Sequence, residues 1–363
     1  MQKIVKGIEH LGEALEGAAK VFLVCDSSFP FLNIKDDIER MKVPYVRFDQ
    51  FTPNPLYEDV CKGVSLFQQS RCDTILAVGG GSSLDVAKCV KLFCKMEKGP
   101  LYLEQEYKDN GVKLIAIPTT AGTGSESTRY AVIYYEGKKQ SVTHESILPD
   151  VAILEPKVLK TLPRYQKKCT MMDALCQGME SWWSVNSTEE SKALSKEAVQ
   201  TIMRWWHEYL FDDTERAAEH IMYAANLAGR AISITQTTAP HAFSYKMTSL
   251  YHLPHGHAVA IGLPEIWQYM VDHPDKCVDG RGQEYLVGVF KEIAKAMGCE
   301  TPVDAIALFR KMLDELDLQK PVAGKREEEL NLLSTSVNPV RLKNNPVELD
   351  LVTTQNIYAS LLV

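Results

Sequence analysis

Apolar residues follow two rhythms along this chain. In the first half, short continuous runs alternate with segments whose apolar positions recur every three to four residues. The runs Val21–Cys25, Val43–Phe48, Thr74–Val78, Leu114–Ile117 and Val151–Leu154 predict strands, because each is short and mostly apolar. Helical periodicity fills the segments between them, as in Tyr57–Ser70. Strands alternating with helices predict a parallel sheet. The opening residues Gln2–Lys6 read as a lead into a polar helix around Ile8 to Leu15. After Pro163 the strand signal nearly vanishes. Helical patterns run from Met171 to Tyr209 and from Thr214 to Lys246, then to the end with proline breaks. The boundary near Lys157–Pro163 predicts an α/β unit over residues 1–160 and an all-helical unit over 161–363.

Composition narrows the class. At 363 residues, 45% hydrophobic and 24% charged, the chain can bury two ordinary globular cores. Its formal net charge of −7 argues against nucleic acid or an anionic membrane as partner. No apolar stretch approaches the roughly 20 residues of a membrane span. Nine cysteines without a CxxC pair suit reduced thiols in the cytoplasm better than a disulfide framework or a cysteine zinc site.

Candidate chemistry starts where Thr74–Val78 runs into Gly79, Gly80, Gly81, Ser82 and Ser83, with a helical pattern from Leu84 onward. Glycines let backbone approach a ligand closely, and the helix start offers N–H groups and a positive dipole end to phosphate. A tight strand–helix turn would have the same sequence. A second such junction follows Leu114–Ile117: Pro118, Thr119, Thr120, Ala121, Gly122, Thr123, Gly124, Ser125 and Glu126. Two loops of this kind at the carboxyl ends of parallel strands suggest a dinucleotide lying across the switch point of an open sheet. Asp26, just after the first strand, suits an adenosine ribose and would repel a 2′-phosphate, which favours NAD(H) over NADP(H); it equally suits a helix N-cap.

In the second half Asp173 and Gln177 lie four apart on one helix face, and His241 and His255 each sit near a helix start. A carboxylate, an amide oxygen and two imidazoles can hold one divalent ion such as Fe2+ or Zn2+. Singly, each of these residues also has an ordinary structural reading.

Taken together, Gly79-Gly80-Gly81-Ser82 with Asp85, the block Pro118 to Glu126, Asp173-Ala174-Leu175 and Pro254-His255-Gly256 resemble the iron-containing (group III) alcohol dehydrogenase family. The resemblance runs from about Asp26 to the carboxyl end. It implies a nicotinamide dinucleotide-binding α/β domain followed by an all-helical metal domain, with a cleft between them. It implies cofactor contacts at Asp26, Asn54, Gly79, Gly80, Gly81, Ser82, Asp85, Thr119, Thr120, Thr123, Ser125 and Lys139. Asp173, His241 and His255 are the implied metal ligands. Two departures stand out: Gln177 replaces the family's usual histidine ligand, and Tyr245 replaces another common histidine. The amino-terminal strand pair common in the family also reads as mostly missing.

Further blocks, among them Ala239 to Tyr245, Pro254 to Ala258 and Asn338 to Pro346, resemble the phosphonoacetaldehyde reductase branch. That resemblance implies reduction of phosphonoacetaldehyde to 2-hydroxyethylphosphonate, with the metal polarising the carbonyl and a proton arriving through water, Tyr245 or His257. A small anionic substrate needs a fixed cation. Arg129, four residues after Ser125, is the foremost choice, with Arg341 and Lys343 behind it. A general short-chain alcohol dehydrogenase, a dehydroquinate-synthase-like lyase and a nucleotide-binding protein without catalysis are the rival readings. Exposed helices in the second unit permit a homodimer.

Overall fold

The computed structural model describes residues 2–337 and 339–363, so Asn338 of the last quoted block lies outside the described residues. They form two units. One comprises the chain up to Pro163 together with Asp213–Gly229, and the other comprises Arg164–Asp212 with Arg230–Val363.

The first unit contains β1 (Lys3–Lys6), β2 (Val21–Cys25), β3 (Tyr45–Phe48), α1 (Tyr57–Ser70), β4 (Thr74–Gly79), α2 (Gly81–Phe93), β5 (Lys113–Pro118), β6 (Tyr130–Tyr135), β7 (Lys138–Thr143) and β8 (Val151–Leu154). Six strands make one parallel sheet in the order β1-β8-β5-β4-β2-β3. Every residue of β2 and β4 is buried, which explains their continuous apolar runs: helices cover parallel strands on both faces. The chain goes from β2 outward to β3, then returns to β4 on the other side of β2. The switch point therefore lies between β2 and β4, and Asp26 and the glycine run leave the sheet there.

Two strand features differ from the sequence reading. Residues Lys3–Lys6 form an edge strand parallel to β8, with Lys3 opposite Val151, rather than a lead into a helix. Four residues with lysine at each end give almost no periodic signal, and such charge is typical of a protected sheet edge. The other is the hairpin β6–β7, which joins across Glu136 and Gly137 at φ 50° and 70°. Positive φ at both turn positions matches the twist of a two-residue hairpin.

The second unit is helical: α3 (Arg164–Trp183), α4 (Glu189–His207), the end of α5 (Glu215–Thr235), α6 (Ala239–Tyr251), α7 (His255–Asp272), α8 (Gln283–Ala296), α9 (Pro302–Glu315), α10 (Arg326–Thr335) and α11 (Leu351–Leu361). The two long helical patterns each break once. Thr188 caps α4 by accepting from the Ser191 N–H, and Gln236 takes φ 62° just after α5. The part of α5 before Arg230 belongs with the first unit, where Asn226 Nδ2 donates to Glu126 Oε1 at 2.9 Å and Ser127 Oγ at 2.7 Å. From Met171 to Trp183 every residue of α3 is buried. A helix buried all round must satisfy its polar residues internally, so Asp173, Gln177 and Glu180 need an explanation.

Candidate cofactor cradle and metal centre

The glycine run meets the threonine loop side by side. Gly79 and Pro118 are partners in the β4–β5 register, and Thr119 N–H donates to Gly79 O at 3.0 Å. A Cβ on Gly81 would come within 3.1 Å of Thr123 Cγ2, and one on Gly80 within 3.5 Å of Thr120 Cγ2. Side chains at these positions would fill the hollow between the loops. Gly79 has φ 154°, and a Cβ there would press to 2.3 Å from Ser83 Oγ. Among the described residues no side chain caps the start of α2 at Gly80, which leaves its dipole end suited to an anion.

The other expected contacts gather around this hollow. Ser83 Oγ donates to Asp26 Oδ2 at 2.7 Å, and Ser28 N–H donates to Asp26 Oδ1 at 2.8 Å. Asp26 is thus fixed against the glycine loop. Asn54, at φ 58°, donates its backbone N–H to Ser82 Oγ at 3.3 Å. Asp85 acts one layer below: its Oδ1 accepts from Ser125 Oγ at 3.0 Å and its Oδ2 from Val132 N–H at 3.0 Å. Burial raises the Asp85 carboxyl pKa, with the charges of Lys88 and Lys139 pulling the other way. Lys139 stands opposite Tyr134 in the hairpin.

Lys88 is fully buried, and the sequence reading missed it. Its Nζ donates to Ser125 Oγ at 2.9 Å, Thr128 Oγ1 at 3.0 Å and Tyr130 O at 2.7 Å. Burial pushes its ammonium down to about 8 against the attraction of Asp85 and Glu126. This lysine pins the chain after the threonine loop along α2.

That course corrects the expectation for Arg129. By Arg129 the chain has run back along α2 toward the amino-terminal edge of the sheet. Its Nη1 pairs with Glu145, which lines a hollow with Lys113 and Asp150, at the starts of β5 and β8. The guanidinium also lies 5.7 Å from the Tyr130 ring. Arg129 is therefore turned away from the glycine loop.

In the second unit, α3, α6 and α7 bring three expected ligands together. One ligand atom each from Asp173, His241 and His255 lie within 4.8 Å of one another. Asp173 Oδ1 is 3.3 Å from His241 Nε2 and 4.0 Å from His255 Nε2. Gly256 makes this meeting possible, since a Cβ there would lie 2.0 Å from Cys169 O and 2.8 Å from Asp173 Cβ. Gln177 Nε2 donates to Asp173 Oδ2 at 3.2 Å. Asp173 Oδ1 and Gln177 Oε1 are both buried, and among the described residues no hydrogen bond reaches them. Buried acceptors left without donors are costly, and a cation is what such oxygens lack. The donor set, two oxygens and two imidazole nitrogens, fits a divalent ion.

Electrostatics agree. Burial disfavours a charged His241, yet the carboxylates of Glu180 and Asp173 lift its pKa to about 10. Burial likewise opposes ionisation of Asp173, but the neighbouring His241 and His255 imidazoles hold its carboxyl below the ordinary value.

Two further expectations land differently. Tyr245 stacks on the His255 ring, centroids 6.0 Å apart. His257 has both ring nitrogens engaged, Nδ1 with Tyr165 Oη at 2.7 Å and Nε2 with Gln319 O at 3.0 Å. A carbonyl can only accept, so Nε2 carries the ring proton and Nδ1 accepts from Tyr165. Burial lowers its pKa further, and His257 holds no spare proton to give. Arg341 donates Nη1 to Gln236 Oε1 at 2.8 Å, and Lys343 is exposed. Glu180 escaped the sequence reading altogether. Its signal was present: it follows Asp173 by seven residues, on the same helical stripe as Gln177.

Comparison with known proteins places the chain in a family. A family profile for iron-containing alcohol dehydrogenase matches residues 3–156, and one for the carboxyl-terminal region of the Fe-containing alcohol dehydrogenase family matches 168–362. Aldehyde-alcohol dehydrogenase 2 of Entamoeba histolytica is 30% identical over 334 residues, 85% of this chain, but the match spans only 38% of that longer protein. Phosphonoacetaldehyde reductase of Streptomyces viridochromogenes is 31% identical over 77% of this chain and 74% of its own. The crystal structure of an iron-containing alcohol dehydrogenase from Thermotoga maritima superposes with a TM-score of 0.83 at 26% identity, covering 99% of this chain and 97% of that one. Among the described residues no helix is long and apolar enough to cross a membrane. The chain belongs to the iron-containing alcohol dehydrogenase family, oxidoreductases that act on CH–OH groups.

Proposed function

We propose that this chain is a metal-dependent, nicotinamide-linked reductase of small aldehydes, with an anionic aldehyde of the phosphonoacetaldehyde type as its preferred substrate. The observation that carries the reading is the triad of buried Asp173 and His241 with half-buried His255, beside two oxygens that no hydrogen bond among the described residues reaches. A divalent ion bound there supplies Lewis acidity toward a carbonyl oxygen, and the reduced nicotinamide supplies the hydride. The glycine and threonine loops hold the dinucleotide's phosphates. Asp26 faces its adenosine ribose and favours NADH over NADPH. Tyr245, whose ring stacks on His255, would pass a proton toward the carbonyl oxygen as it is reduced.

The anionic substrate class rests on the relative named phosphonoacetaldehyde reductase and on a cation in the metal-bearing unit. With Arg129 paired to Glu145, that cation is Arg341. Its helix, Pro339–Leu342, packs on α6, which carries His241 and Tyr245. A charge-assisted contact to a phosphonate contributes about 2 kcal/mol, or roughly 30-fold in kcat/KM.

The test is an aldehyde panel assayed for NADH and NADPH oxidation, with and without added Fe2+ or Zn2+. The expected result is metal-dependent oxidation of NADH, fastest with the phosphonate aldehyde. Arg341→Ala should lose that preference and keep its rate on an uncharged aldehyde of similar length. Equal rates on charged and uncharged aldehydes in the unaltered protein would instead support a general short-chain alcohol dehydrogenase. The ion pair that turns Arg129 away from the glycine loop favours that second reading.

A further inference from the structure

The stripe along α3 does not end at the ligand face. Glu180 has no exposed surface, and its two oxygens are engaged differently. Oε1 lies 2.5 Å from His241 Nδ1. Oε2 accepts from the Thr238 backbone N–H at 2.7 Å and from Thr238 Oγ1 at 3.0 Å. Thr238 Oγ1 in turn accepts from Trp183 Nε1 at 2.9 Å, so its own hydrogen is directed to Glu180. Trp183, Thr238, Glu180 and His241 form one buried relay of defined sense.

The geometry points to Glu180 as the positioning residue that selects which nitrogen of His241 can bind a metal. A carboxylate can only accept, so it holds the single proton of a neutral imidazole on Nδ1. Nε2 is then left as a bare lone pair on the side where Asp173 Oδ1 stands, 3.3 Å away. The charge count agrees. Glu180 and Asp173 are two buried carboxylates on one helix face, and one divalent ion neutralises both. The inference rests on the metal reading of this centre and adds to it what gives the ligand its direction.

Replacement by glutamine reverses the sense. In Glu180→Gln the amide oxygen still accepts from Thr238, but its NH2 faces Nδ1. Nδ1 must then accept, and the ring proton moves to Nε2, where it blocks coordination. Groups that orient a metal-bound histidine are typically worth 10- to 100-fold in metal affinity.

The measurement is Zn2+ affinity by chelator competition in the unaltered protein and in Glu180→Gln. The Co2+ absorption spectrum, NADH affinity and the melting temperature of the metal-free protein are read alongside. Expected is a roughly 10- to 100-fold weaker Zn2+ affinity and an altered or absent Co2+ spectrum, with NADH affinity unchanged. Equal Zn2+ affinity in both proteins overturns the inference, as does a loss of metal and NADH binding together, which marks general destabilisation. If Glu180→Gln does not fold, Thr238→Val and Thr238→Ser decide the matter. Valine should weaken Zn2+ binding and serine should restore it, and identical affinities overturn the inference. No uptake of Zn2+, Fe2+ or Co2+ by the unaltered protein would remove the metal reading itself.

Discussion

The cofactor cradle and the metal centre are assembled from different materials. In the cradle, two loops at neighbouring strand ends meet through backbone and small hydroxyl groups, with Thr119 N–H bonded to Gly79 O and threonine methyls where glycine side chains would be. In the metal centre, side chains from three helices converge, and His241 is held by Glu180, 61 residues before it in the chain. A cradle made of backbone tolerates changes of chemistry and fails when a Cβ intrudes. A centre made of side chains tolerates changes of shape around it and fails when one donor is lost or reversed.

The largest expected effect tests the second half of that contrast. His255→Ala removes one of two imidazoles from a centre where Gln177 offers only a neutral oxygen. Metal affinity should fall by roughly 100-fold or more, with NADH affinity unchanged. Metal content by elemental analysis and NADH titration check this; normal metal content would break the comparison.

Gly79→Ala is the matching test of the cradle. It places a methyl at φ 154° and within 2.3 Å of Ser83 Oγ, the hydroxyl that fixes Asp26. Strain of about 1–3 kcal/mol at the loop should weaken NADH binding by roughly 10-fold and leave Zn2+ affinity as it was. An NADH affinity equal to that of the unaltered protein would show that the cofactor does not approach this turn.

Gln177→His sharpens the comparison in the other direction. It restores a nitrogen donor one turn from Asp173 and should tighten Zn2+ binding by about tenfold. A titration showing no gain would mean that residue 177 serves only to orient Asp173 through its hydrogen bond to Oδ2.

The smallest effect concerns the buried clamp beneath the cradle. Lys88 has a pKa of about 8 in the fold against 10.5 unfolded. Between these values the unfolded chain binds the extra proton, so stability should rise as pH increases from about 8 toward 10.5. Lys88→Met lacks this group. The rise in melting temperature over that range should be smaller in the variant by roughly 2–4 °C. Parallel pH profiles would show that Lys88 is charged throughout.

The contrast also explains what could be read from the chain. Apolar runs gave β2, β4, β5 and β8, because parallel strands covered on both faces need no polar alternation, and the mixed run Val43–Phe48 gave the edge strand β3. The glycine and threonine junctions were legible because their chemistry is local: the residues that shape each loop are neighbours in sequence. Asp173 and Gln177 were visible as a pair for the same reason, one helical turn apart. Glu180 continues their stripe, but nothing local distinguishes it from a solvated glutamate until α3 is known to be buried all round.

Sequence by itself thus determined the alternating strands and helices, the anion-binding loop and the set of residue types able to bind a metal, because period and backbone chemistry act within a few residues. Tertiary structure decided the direction of each side chain. It turned Arg129 to Glu145, engaged both nitrogens of His257, returned Asp213–Gly229 to the first unit and placed Glu180 behind His241. These outcomes depend on partners 16 to 100 residues away. A buried polar group takes whichever of them packing brings within hydrogen-bond reach.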